Sequence, residues 1–342
     1  MRDNYSNNTE SSRNNSRSSR NKKRKKKSLG FKIFITIIII LFVIALAGIG
    51  VFYSTLNKMD NVELNKDNLG VTSTEELEVY DNYKKIKNIA LFGIDSADGV
   101  GRSDSMMIAT VDPVHDKLKI TSIMRDSYVN IEGYGYDKLN HAYAFGGPEL
   151  SIKTINQTFG LNIEDFVTVD FASLPKIIDI LGGIELNITD EELQYINGYI
   201  DDINSKSGTS SPYIGYAGYQ TVNGVQALAY SRIRYTAGGD YERTHRQRIV
   251  LEGLFEKALA VSATQYPTII NQILPYVQTN LGATDILSLA TKVATMGGGT
   301  LEQDRFPRDG YGEGQMIDGV YYLVFDEATT KQQMMDYIFD DK

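Results

Sequence analysis

The stretch FVTVDFASLPKIIDILGGIELNI, residues 166–188, reads in order as strand, helix and strand. Residues 166–171 are mostly β-branched or aromatic, the side chains a pleated surface accommodates best. Leu174, Ile177, Ile178 and Leu181 then recur at spacings that put them on one face of a helix. Gly182 and Gly183 follow at once and stop that helix, because glycine tolerates the left-handed conformation that closes a helix C-terminus. Residues 184–188 resume the strand pattern. A β-α-β order of this kind belongs to an α/β domain in which helices cover a sheet.

On its N-terminal side, residues 88–94 (NIALFGI), 105–111 and 118–124 form three apolar strand-like runs, each bounded by turn or charged residues. Helical patterns occupy residues 148–159 and 173–181, and continue beyond Gln247 to about residue 259 and again over 266–277. The expected class is α/β, one domain over residues 87–342 with a mixed central sheet. A chain of 342 residues has ample length for a core. It contains no cysteine, which excludes a disulfide framework, a thiolate metal site and a cysteine nucleophile, and its three histidines are too few for a histidine-rich metal cage.

Charge is unevenly spread. The chain carries −8 overall, yet residues 1–32 hold eleven Lys or Arg against Asp3 and Glu10, a local +9 that leaves −17 for the remainder. Such asymmetry marks an electrostatic tail joined to a separate folded unit. Residues 4–20, almost without apolar side chains, are expected to be disordered. Six consecutive basic residues at 22–27 precede an apolar run over residues 33–53. At about 1.5 Å per residue that run spans about 30 Å, the thickness of a bilayer core. It is expected to form one transmembrane helix with its basic flank in the cytoplasm and everything after it outside the cell. The competing reading is a cleaved signal peptide, since Ala45-Leu46-Ala47 has the small-x-small form of a cleavage site, but the apolar run continues past it. Residues 54–86 are polar and are expected to serve as a stalk.

Two groups of residues carry chemistry. Residues 230–248, YSRIRYTAGGDYERTHRQR, concentrate Arg232, Arg234, Arg243, Arg246 and Arg248 in an otherwise acidic part of the chain. Planar guanidinium forks match phosphate oxygens, so this cluster points to a phosphate or pyrophosphate site; the alternative is a solvated helix face paired with Asp240 and Glu242. In residues 93–104, Asp95 ends one strand and Asp104 precedes the next. Carboxylates at the ends of adjacent strands can converge on one hard cation, and magnesium takes one or two carboxylates plus substrate phosphates. The alternative is that both are turn or cap residues. The glycines of this loop lack the third glycine of a dinucleotide fingerprint and the Gly-Lys-Ser ending of a P-loop.

The blocks NIALFGID (88–95), GRSDSMMIAT (101–110), SIMRDSYV (122–129), DKLNHAYAFGG (137–147), VDFASLPKIIDILGGIELNI (169–188), GYQTVNGVQALAYSRIRY (218–235) and GDYERTHRQR (239–248) resemble, in the same order, the LytR-CpsA-Psr family of Gram-positive cell-envelope proteins. The resemblance implies a single-pass enzyme of the cell membrane with an extracytoplasmic α-β-α domain and an apolar tunnel for a polyprenyl chain. It implies phosphotransfer of a glycopolymer, such as teichoic acid or capsular polysaccharide, from a polyprenyl-pyrophosphate carrier to peptidoglycan. By position, Asp95 and Asp104 match the pair that holds Mg2+, with Mn2+ as the alternative ion. Arg102 and Arg125 match arginines of the first half, and Arg232, Arg234, Arg243 and Gln247 match the pyrophosphate-binding set of the second. Asp240 matches the acidic position before Arg243. Catalysis is assigned to Asp95, Asp104 and Arg125, with Asp95 or Asp104 accepting the proton of the attacking hydroxyl.

The expected partners are therefore a lipid-linked glycopolymer, a peptidoglycan acceptor and the membrane. No nucleic acid is expected, since the basic tail has no helix-turn-helix pattern and the motif-rich region lies outside the cell. Two other classes share these features: an envelope-linked regulator, and a polyprenyl-pyrophosphate carrier or pyrophosphatase without transfer. Among lesser candidates, His141 is expected to be packed or hydrogen-bonded, Lys138 to be a turn lysine or a phosphate contact, and the tyrosines of residues 213–219 to line an acceptor groove or pack as a loop.

Overall fold

The computed structural model describes residues 60–95, 101–236, 239–262, 265–296 and 300–342. The tail expected at residues 1–32 and the membrane helix expected at 33–53 lie outside these residues; among the described ones, no helix is long and apolar enough to cross a membrane.

The main sheet has seven strands: β1 (Asp60–Asn61), β2 (Lys87–Ile94), β3 (Ser103–Asp112), β4 (Lys117–Ile123), β7 (Asp165–Asp170), β10 (Gln278–Thr279) and β11 (Thr300–Phe306). Three two-stranded ribbons add β5 (Tyr128–Ile131) with β6 (Gly135–Lys138), β8 (Ile184–Ile188) with β9 (Gly218–Val222), and β12 (Gly312–Ile317) with β13 (Val320–Phe325). The helices are α1 (Thr74–Leu77), α2 (His141–Phe159), α3 (Leu174–Ile180), α4 (Asp190–Ser207), α5 (Gly224–Arg232), α6 (Gly239–Ala260), α7 (Tyr266–Ile273), α8 (Ala283–Thr295) and α9 (Glu327–Asp340). The sheet order is β1-β10-β7-β2-β3-β4-β11, with β2–β3 and β3–β4 antiparallel and β7–β2 and β4–β11 parallel, so the sheet is mixed.

Period-two alternation explains why the central runs are apolar throughout. Ala90, Phe92 and Ile94 of β2, with Met106 and Ile108 of β3, pack into a core shared with Ile152, Ile155 and Phe159 of α2 and Met334 and Ile338 of α9. The intervening Leu91, Met107, Val167 and Val169 face the opposite side, where Val250, Leu251 and Leu254 of α6 approach them. Both faces of the sheet are thus covered, one by a closed core and the other by a groove. Fully burying a side chain such as Phe92 contributes about 1.5–3 kcal/mol, and Phe92→Ala would cost about 3–5 kcal/mol through the cavity it leaves.

Three expectations need correction. The stretch at 166–188 does fold as strand, helix and strand, with Gly182 and Gly183 at φ 83° and 87° ending the helix. Its second strand does not join the main sheet: β2 and β10 occupy the two edges of β7, and β8 pairs antiparallel with β9 over a second core. The segment expected as a stalk is part of the folded body from Asp60 onward. Leu69, Leu77, Tyr80, Tyr83 and Ile86 enter the main core, because apolar residues spaced among polar ones join the same cluster as the buried side chains of α2 and α9. Finally, β3 begins at Ser103, so Asp104 lies within a strand, at a bulge where the register shifts opposite Gly93 and Ile94.

Candidate active site

The β2–β3 hairpin brings the two acidic residues together, Asp95 directly after β2 and Asp104 at the bulge of β3. Arg125 follows β4 at the same end of the sheet. The arginines of the second half arrive from α5, the segment just after it, and α6. Asn223 caps α5 reciprocally with Gln226, and Gly224 N donates to Asp179 Oδ1 at 2.7 Å. A Cβ on Gly224 would lie 2.0 Å from the Pro175 carbonyl oxygen, so only glycine lets α5 seat against α3 and aim its last residue, Arg232, at the hairpin. A pocket of about 280 Å³ opens between these elements, lined by Asp95, Asp104, Arg232, Arg234, Arg243 and Gln247 together with Phe171, Tyr199, Asp202, Ser231 and Tyr235.

Helix periodicity sorts the arginines of α6. Arg243 and Gln247, one turn apart, face the pocket, and Val250, Leu251 and Leu254 carry that face on into the groove. Arg246 faces the second core instead. Its Nε donates to Glu192 Oε1 at 2.6 Å, its Nη2 to Thr236 Oγ1 at 2.8 Å and its Nη1 to the Ile233 carbonyl at 3.2 Å. Arg248 turns to the sheet and donates to Ser122 Oγ at 3.0 Å. Five clustered arginines in the sequence thus separate into three at the pocket and two in the framework.

The pocket cations are unequally paired. Arg232 Nη2 lies 3.3 Å from Asp95 Oδ1, and its guanidinium stacks over Phe171 at 5.4 Å. Arg125 does not line the pocket itself; it stands beside it, paired with the lining Asp104, and lies 3.5 Å from Asp126 and 3.9 Å from Asp240. Burial opposes its charge, but these carboxylates outweigh that and hold its pKa above the ordinary value. Arg243 is only 3 % exposed, and its Nη2 meets Asp240 Oδ1 at 2.9 Å while Nε and Nη1 have no hydrogen-bond partner. Burial, only partly offset by Asp240 and reinforced by Arg125 and Arg234, pushes its pKa down to about 10. A buried cation with idle donors is costly on its own, and an anion of two or more oxygens in the pocket would satisfy it.

Beneath the pocket runs an apolar groove of about 140 Å³ between the sheet and α6. Phe171, Ser231 and Gln247 line both spaces, so the charged and apolar compartments adjoin. A ligand with an anionic head and an unbranched or isoprenoid tail suits that pairing.

Arg102 is exposed just before β3 and is not among the pocket-lining residues. His141 pairs with Asp137 at 2.7 Å and Lys138 with Asp126 at 2.8 Å, outside the pocket. Tyr213, Tyr216 and Tyr219 are exposed and do not line it either; Tyr199 and Tyr235 do. Tyr199 and Asp202 sit one helical turn apart on α4, a signal too common to single out, whereas Ser231 adjoins Arg232 within the arginine-rich run. As to a metal, Asp95 and Asp104 supply the one or two carboxylates that magnesium takes from a protein. No group of three or more His, Asp or Glu is arranged for an ion among the described residues, so phosphate and water oxygens would complete its shell. The donor set fits a hard cation on those terms.

Comparison with known proteins agrees with this architecture. The LytR_cpsA_psr family model matches residues 49–337. The polyisoprenyl-teichoic acid–peptidoglycan teichoic acid transferase TagU of Enterococcus faecalis is 34% identical over 311 residues, covering 88% of this chain and 94% of that protein. Two solved structures share the fold at 25% identity and 82% coverage of this chain, each covered over 99% of its own length: TagT bound to LI-WTA, with a TM-score of 0.63, and YwtF (TagT) with bound octaprenyl pyrophosphate lipid, with a TM-score of 0.59. With the matched region spanning both halves of the arginine and aspartate pocket, this chain belongs to the LytR-CpsA-Psr family.

Proposed function

We propose that this chain is a membrane-anchored phosphotransferase of the outer face of the cell membrane, moving a glycopolymer from a polyprenyl-pyrophosphate carrier to peptidoglycan. The observation that carries the reading is Arg243, a buried cation with two idle donor nitrogens, placed between a carboxylate pair and an apolar groove. The names of TagU and of the lipid-bound TagT point to the same donor and acceptor.

In this reading the polyprenyl chain lies along Leu91, Val167, Val169 and Leu254, and its pyrophosphate rises into the pocket. Arg125, Arg232, Arg234 and Arg243 grip the phosphate oxygens. A sugar hydroxyl of the acceptor attacks the phosphorus that carries the glycopolymer. A new oxygen–phosphorus bond forms, the bond to the bridging oxygen breaks, and polyprenyl monophosphate leaves. Negative charge grows on that bridging oxygen, and donors already fixed in a buried site stabilise it more than water does. Asp95 or Asp104 accepts the hydroxyl proton. A Mg2+ or Mn2+ ion held by Asp95, Asp104 and the substrate phosphates would supply further charge neutralisation.

The discriminating assay gives the purified protein magnesium, a lipid-pyrophosphate-linked saccharide and peptidoglycan. Saccharide linked to peptidoglycan is the expected product. Free phosphorylated saccharide would identify a hydrolase instead, and lipid bound without turnover a carrier.

A further inference from the structure

On the α2 side of the sheet, an exposed aromatic surface adjoins the pocket. In the β5–β6 ribbon, Tyr128 pairs with Lys138 and Asn130 with Tyr136, so these side chains share the outer face while Val129 and Ile131 are fully buried. Strand β13 is tied to the same segment by Leu323 N, which donates to the Asp126 carbonyl at 2.8 Å; it adds Tyr322 on this face and Tyr321 on its other face, with Lys138 Nζ beside both rings. The rings hold one another: Tyr128 lies 5.2 Å from Tyr136 and 4.8 Å from Tyr322, and Tyr134 stacks on Phe145 at 4.4 Å. Even so, Tyr136 is 59% exposed and Tyr134 56%; Tyr321, 48% exposed, is flanked by Lys138 rather than by another of these rings. Contiguous exposed aromatics that are already immobilised mark a binding surface more than scattered single ones do.

We infer that this surface seats the sugar acceptor, a peptidoglycan glycan strand, an inference that rests on the transferase reading above. Polar groups are set between the rings. Lys138 Nζ lies 5.9 Å and 5.8 Å from the centres of the Tyr321 and Tyr322 rings while donating to Asp126 at 2.8 Å. Asp137 receives His141 at 2.7 Å and the Tyr322 hydroxyl at 3.3 Å. A pyranose presents weakly positive C–H faces and a rim of hydroxyls, which matches the negative face of an aromatic ring flanked by hydrogen-bonding groups.

Geometry selects the acceptor over the donor sugar. Phosphoryl transfer keeps the attacking and leaving oxygens roughly in line. The leaving lipid phosphate retreats toward the groove on the α6 face, so the attacking hydroxyl must come from the other side. The aromatic surface is on that side, and it reaches the pocket through Asp126, 3.5 Å from Arg125 Nε, and through Asn140 N, which donates to the Arg125 carbonyl at 3.1 Å.

The test titrates the full chain, in detergent micelles, with peptide-free tetrasaccharides cut from peptidoglycan. Tyr136→Ala and Tyr321→Ala are each expected to weaken tetrasaccharide binding about tenfold, and the Phe substitutions at both positions to retain it. Affinity for geranylgeranyl pyrophosphate should stay within about twofold, showing an intact fold and donor site. Tetrasaccharide affinity unchanged in the double alanine variant, no tetrasaccharide binding by wild type, or a loss confined to the lipid-linked donor would each overturn the proposal. Because binding is read without turnover, a wild type that binds the tetrasaccharide through these tyrosines and fails to transfer sinks the transferase reading and leaves the glycan surface standing.

Discussion

Arg243 and Arg246 lie on the same helix, three residues apart, and each is 3 % exposed. Their surroundings differ in one respect. Arg246 spends its donors on Glu192, Thr236 and the Ile233 carbonyl, closing the second core. Arg243 has Asp240 alone and leaves two nitrogens without a partner at the edge of a pocket. Equal burial with unequal satisfaction separates an arginine that holds the fold from one held ready for a ligand, a distinction invisible to charge counting.

The largest effect falls on the framework side: Arg246→Ala strands the buried Glu192 carboxylate and should cost about 3–5 kcal/mol of stability, read as a lower urea midpoint. Arg243→Met should do the reverse, leaving the thermal midpoint unchanged or raised while the transfer rate drops about 10²–10³-fold. A stability loss in Arg243→Met as large as in Arg246→Ala would erase the contrast. Next, at least one of Asp95→Ala and Asp104→Ala should lower the transfer rate about a hundredfold or more, as removal of a positioned base does; rates within about tenfold for both would remove the carboxylates from the mechanism.

The smallest effect is one of pH. Burial lowers the Arg243 pKa to about 10, below its ordinary value, so in the ligand-free fold the buried charge is a cost that is fully present below pH 10 and is relieved as pH rises above 10 toward that ordinary value. A bound anion favours the protonated form. Affinity for geranylgeranyl pyrophosphate should therefore be level from about pH 7 to 9 and weaken above about 10, and Arg243→Met should lose that upper limb.

Much of the fold was legible because strands β2, β3 and β7 carry apolar residues on both faces, a pattern that follows from a core on one side and a groove on the other. The path of β8 was not legible: Ile184, Leu186 and Ile188 alternate as they would in any half-buried strand, and nothing local tells which sheet receives them. Residues 60–86 misled because their few apolar side chains are widely spaced, and only the tertiary structure gathers Leu69, Leu77 and Tyr83 onto the core. In the site, residue type and order singled out Asp95, Asp104, Arg232, Arg234 and Arg243, and the family resemblance added Gln247; all six line the pocket, whereas Arg102 and Arg125, also matched by the resemblance, do not. The division of labour among the arginines depended on hydrogen-bond partners up to 126 positions away in sequence, as for Arg248 and Ser122.

The most direct measurement compares the affinity of wild type, Arg243→Met and Arg246→Ala for geranylgeranyl pyrophosphate at neutral pH, under conditions where all three are folded. Saturable binding by wild type, about a hundredfold weaker in Arg243→Met and little changed in Arg246→Ala, is the result expected of a lipid-pyrophosphate pocket built on an under-paired arginine. Equal affinity in wild type and Arg243→Met would contradict it.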